Sequence, residues 1–328
     1  MRFGKLVAYL CCLQLITALS VSAQIYDMRE MNTTEIAALD LQKTVVIIPG
    51  GVLEEHGPYL PSYTDGYSNE YLARRVGEAI VARPGWTVLI FPQLPIGDGG
   101  ANQVAKKHVF PGTYHLHFST LRAVFMDIAS ELGEAGFRRI FVISGHGAIQ
   151  HQLAIDQASD FFNDTYSGTM VHLTGVIAPA RVLPQLGLTN DEAAENGFDV
   201  HGGMNETSRM LFIRPDLVRP GYKTAQPHSG TTWRDLVSRG GAATWPGYFG
   251  SPRLASAARG AEIMHAQSEE MSKLALSILD GFEHRTLQRR AAQSLADEGV
   301  RDWNAASVEH GSRIQAQQDS WLRGKGLR

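Results

Sequence analysis

The sequence predicts an α/β fold built on a mainly parallel sheet that is covered by helices on both faces. Four short apolar runs, rich in β-branched residues, have the length of buried strands and lie at residues 44–48, 86–91, 139–144 and 170–177. Segments with helical spacing of their apolar residues lie between them, at 67–82, 116–135 and 149–162. This alternation is typical of right-handed βαβ units, whose strands run parallel and end at one edge of the sheet.

Length and composition are those of a globular protein with a substantial core. The chain has 328 residues, of which 44% are hydrophobic, enough for one large α/β domain. The formal net charge is −3 and the one basic run is at 323–328, which argues against a nucleic-acid-binding surface. No internal repeat or linker divides the chain, so we predict a single domain over residues 24–285.

Residues 1–23 have the pattern of a secretory signal peptide. A basic start is followed by an apolar run at 6–19 and by small residues that end at Ala23. The apolar run is shorter than the roughly 20 residues that a membrane-spanning helix needs. Both cysteines, Cys11 and Cys12, fall inside this segment. We therefore predict a secreted or periplasmic protein that has no cysteine and no membrane anchor after cleavage.

The second half of the chain departs from the strand and helix alternation. Residues 179–254 form a long polar and glycine-containing stretch with Trp233 and Trp245, which we interpret as the wall or lid of a pocket. A helix is predicted at 257–282. Residues 286–328 are rich in Ala, Gln and Arg, and we expect a polar, helical and peripheral C-terminal tail.

Polar residues cluster where the apolar runs end and before the predicted lid. The four clusters lie at residues 50–65, 97–113, 144–147 and 199–208. Open α/β sheets bind ligands at the carboxyl ends of their strands. Because parallel neighbours end at the same edge, we expect the first and third clusters to lie within reach of each other.

Carboxylates and imidazoles in these clusters form a candidate metal-binding set, which suits divalent Zn, Mn or Fe. Its members are Glu54, His56, Asp65, His146 and Glu206. Five protein ligands exceed what one catalytic ion takes while it keeps a position for water. We therefore predict two divalent metal ions bridged by a shared carboxylate. Such a pair, roughly 3.5–4 Å apart, supports hydrolysis.

Short motifs occur in a characteristic order between about residues 40 and 215. They are Glu54-Glu55-His56-Gly57-Pro58, Leu60-Pro61, Thr64-Asp65, Phe110-Pro111-Gly112-Thr113, Gly145-His146-Gly147, His201-Gly202-Gly203 and Glu206-Thr207-Ser208. In order and spacing they resemble the motifs of the creatininase (creatinine amidohydrolase) family. The resemblance implies a three-layer α/β/α sandwich, a homo-oligomer, and a dinuclear metal centre that hydrolyses amide or cyclic amide bonds.

The resemblance also implies roles for individual residues. Glu54, His56, Asp65 and His146 match metal ligands, with Asp65 as the bridge. Glu206 matches a carboxylate that many members use as the remaining ligand, and we count it with the catalytic residues as well. His201 matches a histidine that protonates the leaving group. Glu55 stands between two ligands, where we expect a supporting or exposed side chain.

The predicted activity is metal-dependent hydrolysis of a C–N amide bond, cyclic or linear, in a small-molecule substrate. Two alternatives remain open at this point: a metal-dependent lactonase or peptidase on the same site, and a secreted binding protein that has the fold without the chemistry. Asp98 and Asn102 are candidate substrate-binding residues. The other histidines considered are interpreted as structural or surface residues, and they are His108, His115, His117, His151 and His172.

Overall fold

A five-stranded, fully parallel sheet forms the centre of the computed structural model, which describes residues 24–177 and 187–328. The strands are β1 (Gln24–Asp27), β2 (Thr44–Pro49), β3 (Thr87–Ile90), β4 (Arg139–Ile143) and β5 (Thr169–His172), in the order β1-β3-β2-β4-β5. The predicted parallel sheet is confirmed. Strand β1 was missed because it is a short, partly exposed edge strand without a clear apolar period.

The helices follow the strands in the predicted alternation. They are α1 (Thr33–Ala37), α2 (Thr64–Val81), α3 (Phe118–Glu134), α4 (Ile149–Thr165), α5 (Leu173–Val176), α6 (Asn190–Asn196), α7 (Met204–Ile213), α8 (Trp233–Gly241), α9 (Ala257–Leu279), α10 (Arg290–Ser294) and α11 (Glu298–Gly324). One predicted boundary is wrong. The run at 170–177 leaves the sheet after His172 and continues as the short helix α5.

Alternate residues of β2 enter two separate hydrophobic cores. Val45 and Ile47 pack in the core that includes α2 and α9, whereas Val46 and Ile48 pack in the core that includes α3 and α4. All four side chains are fully buried, which stabilises the fold by about 1.5–3 kcal/mol for each of them. Both faces of the sheet are therefore covered, and the three-layer α/β/α architecture is confirmed.

The point between β2 and β4 is where the strand order reverses. From β2 the chain proceeds to β3 on one side, and from β4 it proceeds to β5 on the other, so the loops diverge and leave a crevice. The Gly50 N–H donates to the Ile143 carbonyl at 2.9 Å. A Cβ at Gly50 would lie 2.3 Å from Ser144 Oγ, so only glycine fits between these two loops.

The C-terminal segment is not peripheral throughout, in contrast to the prediction for residues 286–328. Ala291, Val300 and Trp303 are buried in a cluster with Trp245 and Phe249. The later turns of α11 are mostly exposed, as expected for a polar tail. The apolar stripe of the first part is only a few residues long, too short to stand out in a polar sequence.

Some predictions fall on residues that the structure does not describe. The predicted signal peptide at 1–23, with Cys11 and Cys12, lies outside the described residues, as does the part of the predicted lid at 179–186. Within 24–177 and 187–328, no helix combines the length and the apolar character that crossing a bilayer requires.

Candidate metal centre

The loops after β2 and β4 are tied together by a single buried amide. Asn69 on α2 donates from Nδ2 to the Gly50 carbonyl at 3.0 Å, and its Oδ1 accepts from the Gly145 N–H at 2.8 Å. Asn69 is buried. It therefore holds the first and third polar clusters of the sequence at one edge of the sheet, as the parallel strand order predicts.

The first cluster presents Glu54, His56 and Asp65 to this edge. Asp65 lies in the first turn of α2, where the helix N-terminus favours a carboxylate. His56 Nδ1 lies 3.0 Å from the Glu54 carbonyl, which can only accept, so Nδ1 carries the proton. His56 Nε2 then faces Glu206 Oε2 at 3.5 Å and Asp65 Oδ1 at 3.9 Å.

His146, from the loop after β4, has the same arrangement with its ring nitrogens exchanged. Its Nε2–H donates to the Asp98 carbonyl at 3.0 Å. Its Nδ1 lies 3.0 Å from both Glu54 Oε2 and Asp65 Oδ2. The two oxygens of Asp65 therefore face two different histidines.

Two further residues complete the centre. His201 lies in the loop before α7, and Glu206 lies in the first turn of that helix. The His201 Nε2–H donates to the Glu55 carbonyl, which leaves Nδ1 3.5 Å from Glu54 Oε1 and 3.9 Å from Glu206 Oε2. Glu206 Oε2 also accepts from the Gly202 N–H at 2.6 Å. The structure thus brings all six predicted side chains together, across 152 residues of sequence from Glu54 to Glu206.

The donor set fits divalent cations. Glu54, Asp65 and His146 have ligand atoms within 4.8 Å of one another, and so do His56, Asp65 and Glu206. His56 Nε2 is buried without a hydrogen-bond partner. In each of the three histidines one ring nitrogen donates to a backbone carbonyl and the other is directed toward carboxylates, an arrangement typical of metal ligands.

A third group, Glu54, His56 and His201, has the same spacing. The geometry therefore permits His201 to bind a metal as well as to act on substrate. The metal-binding and catalytic roles of these residues remain predictions.

Charges in the centre shift several pKa values. Burial raises the pKa of Asp65. Burial also raises the pKa of Glu54, but the imidazoles of His201 and His146 outweigh it and bring that pKa below its ordinary value. Burial lowers the pKa of both histidines, but carboxylates, Glu54 first, outweigh it. The pKa of His146 rises well above its ordinary value, and that of His201 rises to about 9. Imidazolium protons balance the carboxylates here, and bound cations would supply the same positive charge.

Glu55 is buried and supports the centre rather than facing solvent. Its Oε1 accepts from the Asn102 N–H at 2.7 Å, and Thr113 donates to its Oε2. Through these contacts Glu55 holds the second polar cluster against the first. Asn102 and Asp98 do not line the cavity described below, so the structure does not place them as substrate-binding residues. Asp98 instead orients His146 through its backbone carbonyl.

A cavity of about 420 Å³ opens beside the centre. Its wall includes Phe198 and Trp233 from the predicted lid, whereas Trp245 is buried in the core beneath. Three further lining residues escaped the sequence analysis, namely Arg209, Arg290 and Trp303. Arg209 directly follows the Glu206-Thr207-Ser208 motif without being part of it, and Arg290 and Trp303 lie in the C-terminal segment that the sequence predicts to be peripheral.

The sequence is similar to a known protein family and to enzymes of that family. The model of the family described as Creatininase, creatinine amidohydrolase, matches residues 29–275. The chain is 30% identical over 179 residues to a creatinine amidohydrolase of Pseudomonas putida, and the alignment covers 53% of this chain and 66%, just under two thirds, of that protein. It is 28% identical over 249 residues to a mycofactocin precursor peptide peptidase of Mycobacterium ulcerans, covering 71% of this chain and 85% of that protein.

Solved structures share the fold. A creatinine amidohydrolase structure matches with a TM-score of 0.60 at 24% identity, over 77% of this chain and 97% of that one. Similar creatininase structures, with TM-scores of 0.57 and 0.58, include one of Zn-Zn type and one described with Mn. At these identities the likeness shows the architecture alone.

Proposed function

The chain belongs to the creatininase family of hydrolases, and from this premise we propose that it hydrolyses a C–N amide bond with a water activated by two divalent metal ions. Asp65 supports this proposal most directly, because its two carboxylate oxygens face two separate groups of candidate ligands. A carboxylate in that position is suited to bridge two cations. Two such cations, when bound, supply a water of lowered pKa and polarise the substrate carbonyl.

The proposal has two metal-ion positions, each with its own set of ligands. Glu54, His146 and one oxygen of Asp65 would hold the first ion. His56, Glu206 and the other oxygen of Asp65 would hold the second. Zn, Mn and Fe all suit these nitrogen and oxygen ligands. The Zn-Zn and Mn forms of similar creatininase structures support the first two.

His201 is the proposed proton donor to the departing nitrogen. Its Nε2–H is held by the Glu55 carbonyl, so Nδ1 is the atom that can exchange a proton at the centre. His201 also lines the cavity where substrate would lie. A positioned acid of this kind typically accelerates a reaction by about 10²–10⁴-fold. Glu206 is a proposed ligand of the second ion. Its Oε2 lies 3.5 Å from His56 Nε2 and 3.9 Å from His201 Nδ1, so it also lies beside the proposed proton donor.

A linear peptide bond is the favoured form of the amide. The match to the peptide peptidase covers 85% of that protein, against 66% for the creatinine amidohydrolase. A cavity of about 420 Å³ accommodates more than a single small ring, since sites of 300–1,000 Å³ are typical of larger ligands. Lactones remain competitors because the same water attacks esters.

The proposal is tested by metal analysis and an activity panel on the purified protein. We expect close to two divalent ions per chain by elemental analysis. We also expect hydrolysis of members of a panel of short peptides, lactams and lactones, stimulated by added Mn or Zn. Turnover of lactones alone would favour the lactonase alternative. A protein that binds no metal and turns over nothing would instead be the binding protein considered above.

We also propose that the protein is exported and assembles as a homo-oligomer. Export rests on the signal-like pattern of residues 1–23, and assembly on the family resemblance. Mass spectrometry of the protein from its native host is expected to find an N-terminus at Gln24, and light scattering to find more than one chain per particle. An intact Met1 terminus or a monomer would contradict the respective proposal.

A further inference from the structure

Two arginines line the cavity beside the candidate metal centre, and the proposed chemistry does not use them. They are Arg209 on α7 and Arg290 at the start of α10. Among residues 24–177 and 187–328, no carboxylate oxygen of an Asp or Glu lies within 4.0 Å of a guanidinium nitrogen of Arg209 or Arg290. The residues outside these ranges contain no Asp or Glu at all. Arginines that are only partly exposed are normally paired, so this cavity has unused positive charge.

Several polar atoms of the same wall also lack a hydrogen-bond partner. Arg209 Nε and Trp303 Nε1 are buried and unpartnered within the described structure, and both can only donate. Arg290 makes one long contact, from Nη1 to the Thr174 carbonyl at 3.4 Å. Asn205 Oδ1 is an unpartnered acceptor. An unmade hydrogen bond of a buried group costs about 1–3 kcal/mol, more for a charged group, so a ligand that accepts from these donors gains that energy.

Two acids interact with the charge of Arg209 without forming a direct ion pair with it. They are Glu206 and Asp199: burial raises the pKa of both, and the Arg209 charge acts in the opposite direction. Glu206 Oε2 already accepts from the Gly202 N–H, and Asp199 Oδ2 accepts from the Asn205 N–H at 2.9 Å. These carboxylate oxygens therefore hydrogen-bond to backbone N–H groups rather than to the Arg209 guanidinium.

The two arginines line the same cavity, where each feels the positive charge of the other. The pKa of Arg290 is lowered, first by burial and then by the positive charge of Arg209. An anion placed between two such groups would remove their repulsion and pair with both.

We propose that Arg209, Arg290 and Trp303 form an anion subsite that binds a carboxylate of the substrate. The substrate class is then an amide that also carries a carboxylate, such as an N-acyl amino acid or the carboxyl end of a peptide. A planar carboxylate accepts two parallel hydrogen bonds from a guanidinium fork. The rings of Trp233 and Trp303, with centroids 6.1 Å apart, offer an apolar wall for the adjoining carbon chain. This inference rests on the proposed amide hydrolysis.

The subsite depends on the C-terminal segment. Arg290 and Trp303 lie beyond residue 275, where the family match ends. The metal ligands lie inside the match. The chain therefore combines a centre built by the family region with a specificity element supplied by α10 and α11.

Matched substrates test the proposal by activity. Pairs of short peptides that differ only in a free C-terminal carboxylate or a carboxamide present the same scissile bond. We expect kcat/KM to be about 10–100-fold higher for the free acids, the range that one charged hydrogen-bonded contact contributes. In Arg290→Met this ratio is expected to fall close to one. Arg285→Met is the matched control, because Arg285 lies on the same segment but pairs with Asp164 at the surface, and it should keep the wild-type ratio.

Equal kcat/KM for acids and amides in the wild-type protein would overturn the subsite and leave the hydrolase proposal standing. The subsite is equally wrong if the ratio persists in both Arg290→Met and Arg209→Met. Arg209→Met serves as the second variant should Arg290→Met fail to give a native circular dichroism spectrum.

Binding of a small carboxylate tests the subsite without any turnover. N-acetylglycine and N-acetylglycinamide can be compared by calorimetry on the metal-loaded, full-length protein. We expect the acid to bind at least about tenfold more tightly than the amide, and Arg290→Met but not Arg285→Met to lose this preference. Arg290-dependent binding without hydrolysis of any peptide would support the subsite and refute the proposed function. Equal binding to wild type and to Arg290→Met would refute the subsite.

Discussion

Two regions of this molecule hold the same kinds of side chain, and only one of them has the organisation of a metal centre. The first region comprises Glu54, His56, Asp65, His146, His201 and Glu206. The second comprises Asp98, His115 and His117, whose candidate ligand atoms also lie within 4.8 Å of one another. Both combine carboxylates with imidazoles, so residue type and distance alone do not distinguish them.

The hydrogen bonds of the imidazoles do distinguish them. In the first region each histidine donates one N–H to a backbone carbonyl and turns its other nitrogen toward carboxylates. In the second, His115 Nε2 accepts from the Gln103 amide at 3.2 Å, and Nδ1 lies 3.1 Å from the Leu116 carbonyl and 3.3 Å from Asp98 Oδ1. The second nitrogen of His115 thus faces an N–H donor instead of the carboxylates that face the second nitrogen of each histidine in the first region.

The second region has a different use in the fold. It lies beneath α11, where His310 stacks on His108 with centroids 4.2 Å apart and contacts His117 edge-on at 6.1 Å. We interpret it as part of the surface that docks the C-terminal helix. The two regions therefore differ in whether the ring nitrogen that does not bond to a backbone carbonyl faces carboxylates, and residue type alone does not show this difference.

The largest effect is expected from Asp65→Asn. A neutral amide is a poor bridge between two cations, so we expect loss of bound metal and a fall in kcat/KM of roughly a thousandfold or more, since metal activation supplies several kcal/mol. Metal content by elemental analysis and kcat/KM are measured together. Asp98→Asn is the control, because the backbone carbonyl that orients His146 remains. An equal loss in both variants would erase the distinction between the two regions.

His201→Ala should separate catalysis from metal binding. We expect two ions per chain to remain while kcat falls by about a hundredfold or more, as for removal of a general acid. His115→Ala in the second region should change kcat by less than about twofold. Loss of metal from His201→Ala would instead assign His201 to the third candidate group, with Glu54 and His56.

Metal affinity is expected to rise with pH. Carboxylates, Glu54 first, outweigh burial and hold the pKa of His146 well above its ordinary value, so a cation bound at His146 Nδ1 displaces a proton. One displaced proton makes the apparent affinity about tenfold greater per pH unit until the pKa of His146 is passed. Calorimetry in two buffers of different ionisation enthalpy counts the released protons. An affinity that is constant between pH 6 and pH 8 would contradict this account.

Asn69→Ala tests the scaffold that joins the two loops of the centre. The variant loses two buried hydrogen bonds and leaves the Gly145 N–H and the Gly50 carbonyl without partners, so we expect a loss of about 2–4 kcal/mol of unfolding free energy. Urea unfolding measures it. Gln150→Ala is a suitable comparison, since the Gln150 amide makes one contact, to Asn304 on α11, away from these loops. A loss below about 0.5 kcal/mol for Asn69→Ala would show that the loops hold their places without it.

The smallest effect is expected from His117→Ala. Metal content and kcat/KM should stay within about twofold of wild type, and stability should fall by less than about 1 kcal/mol because the side chain is only partly buried. A variant that loses one metal ion would place a cation in the second region and reverse the comparison.

Much of the architecture follows from local patterns in the sequence. The alternation of apolar runs and helical segments predicts the parallel sheet, because strand length and helical period are short-range properties. Parallel order then brings the ends of β2 and β4 to one edge, and with them Glu54, His56, Asp65 and His146. The predicted elements agree with the observed ones to within a few residues at most boundaries.

Other features depend on contacts between distant parts of the chain. The Asp98 carbonyl that orients His146 is 48 residues away in sequence, and the Glu55 carbonyl that orients His201 is 146 residues away. Arg209, Arg290 and Trp303 meet at one cavity without sharing a motif. The sequence by itself thus determined which residue types stand at the edge of the sheet. Tertiary structure alone decided which ring nitrogens face carboxylates and that Arg209 and Arg290 form no ion pair within the described residues, because hydrogen-bond pairing and burial are set by neighbours that local periodicity does not encode.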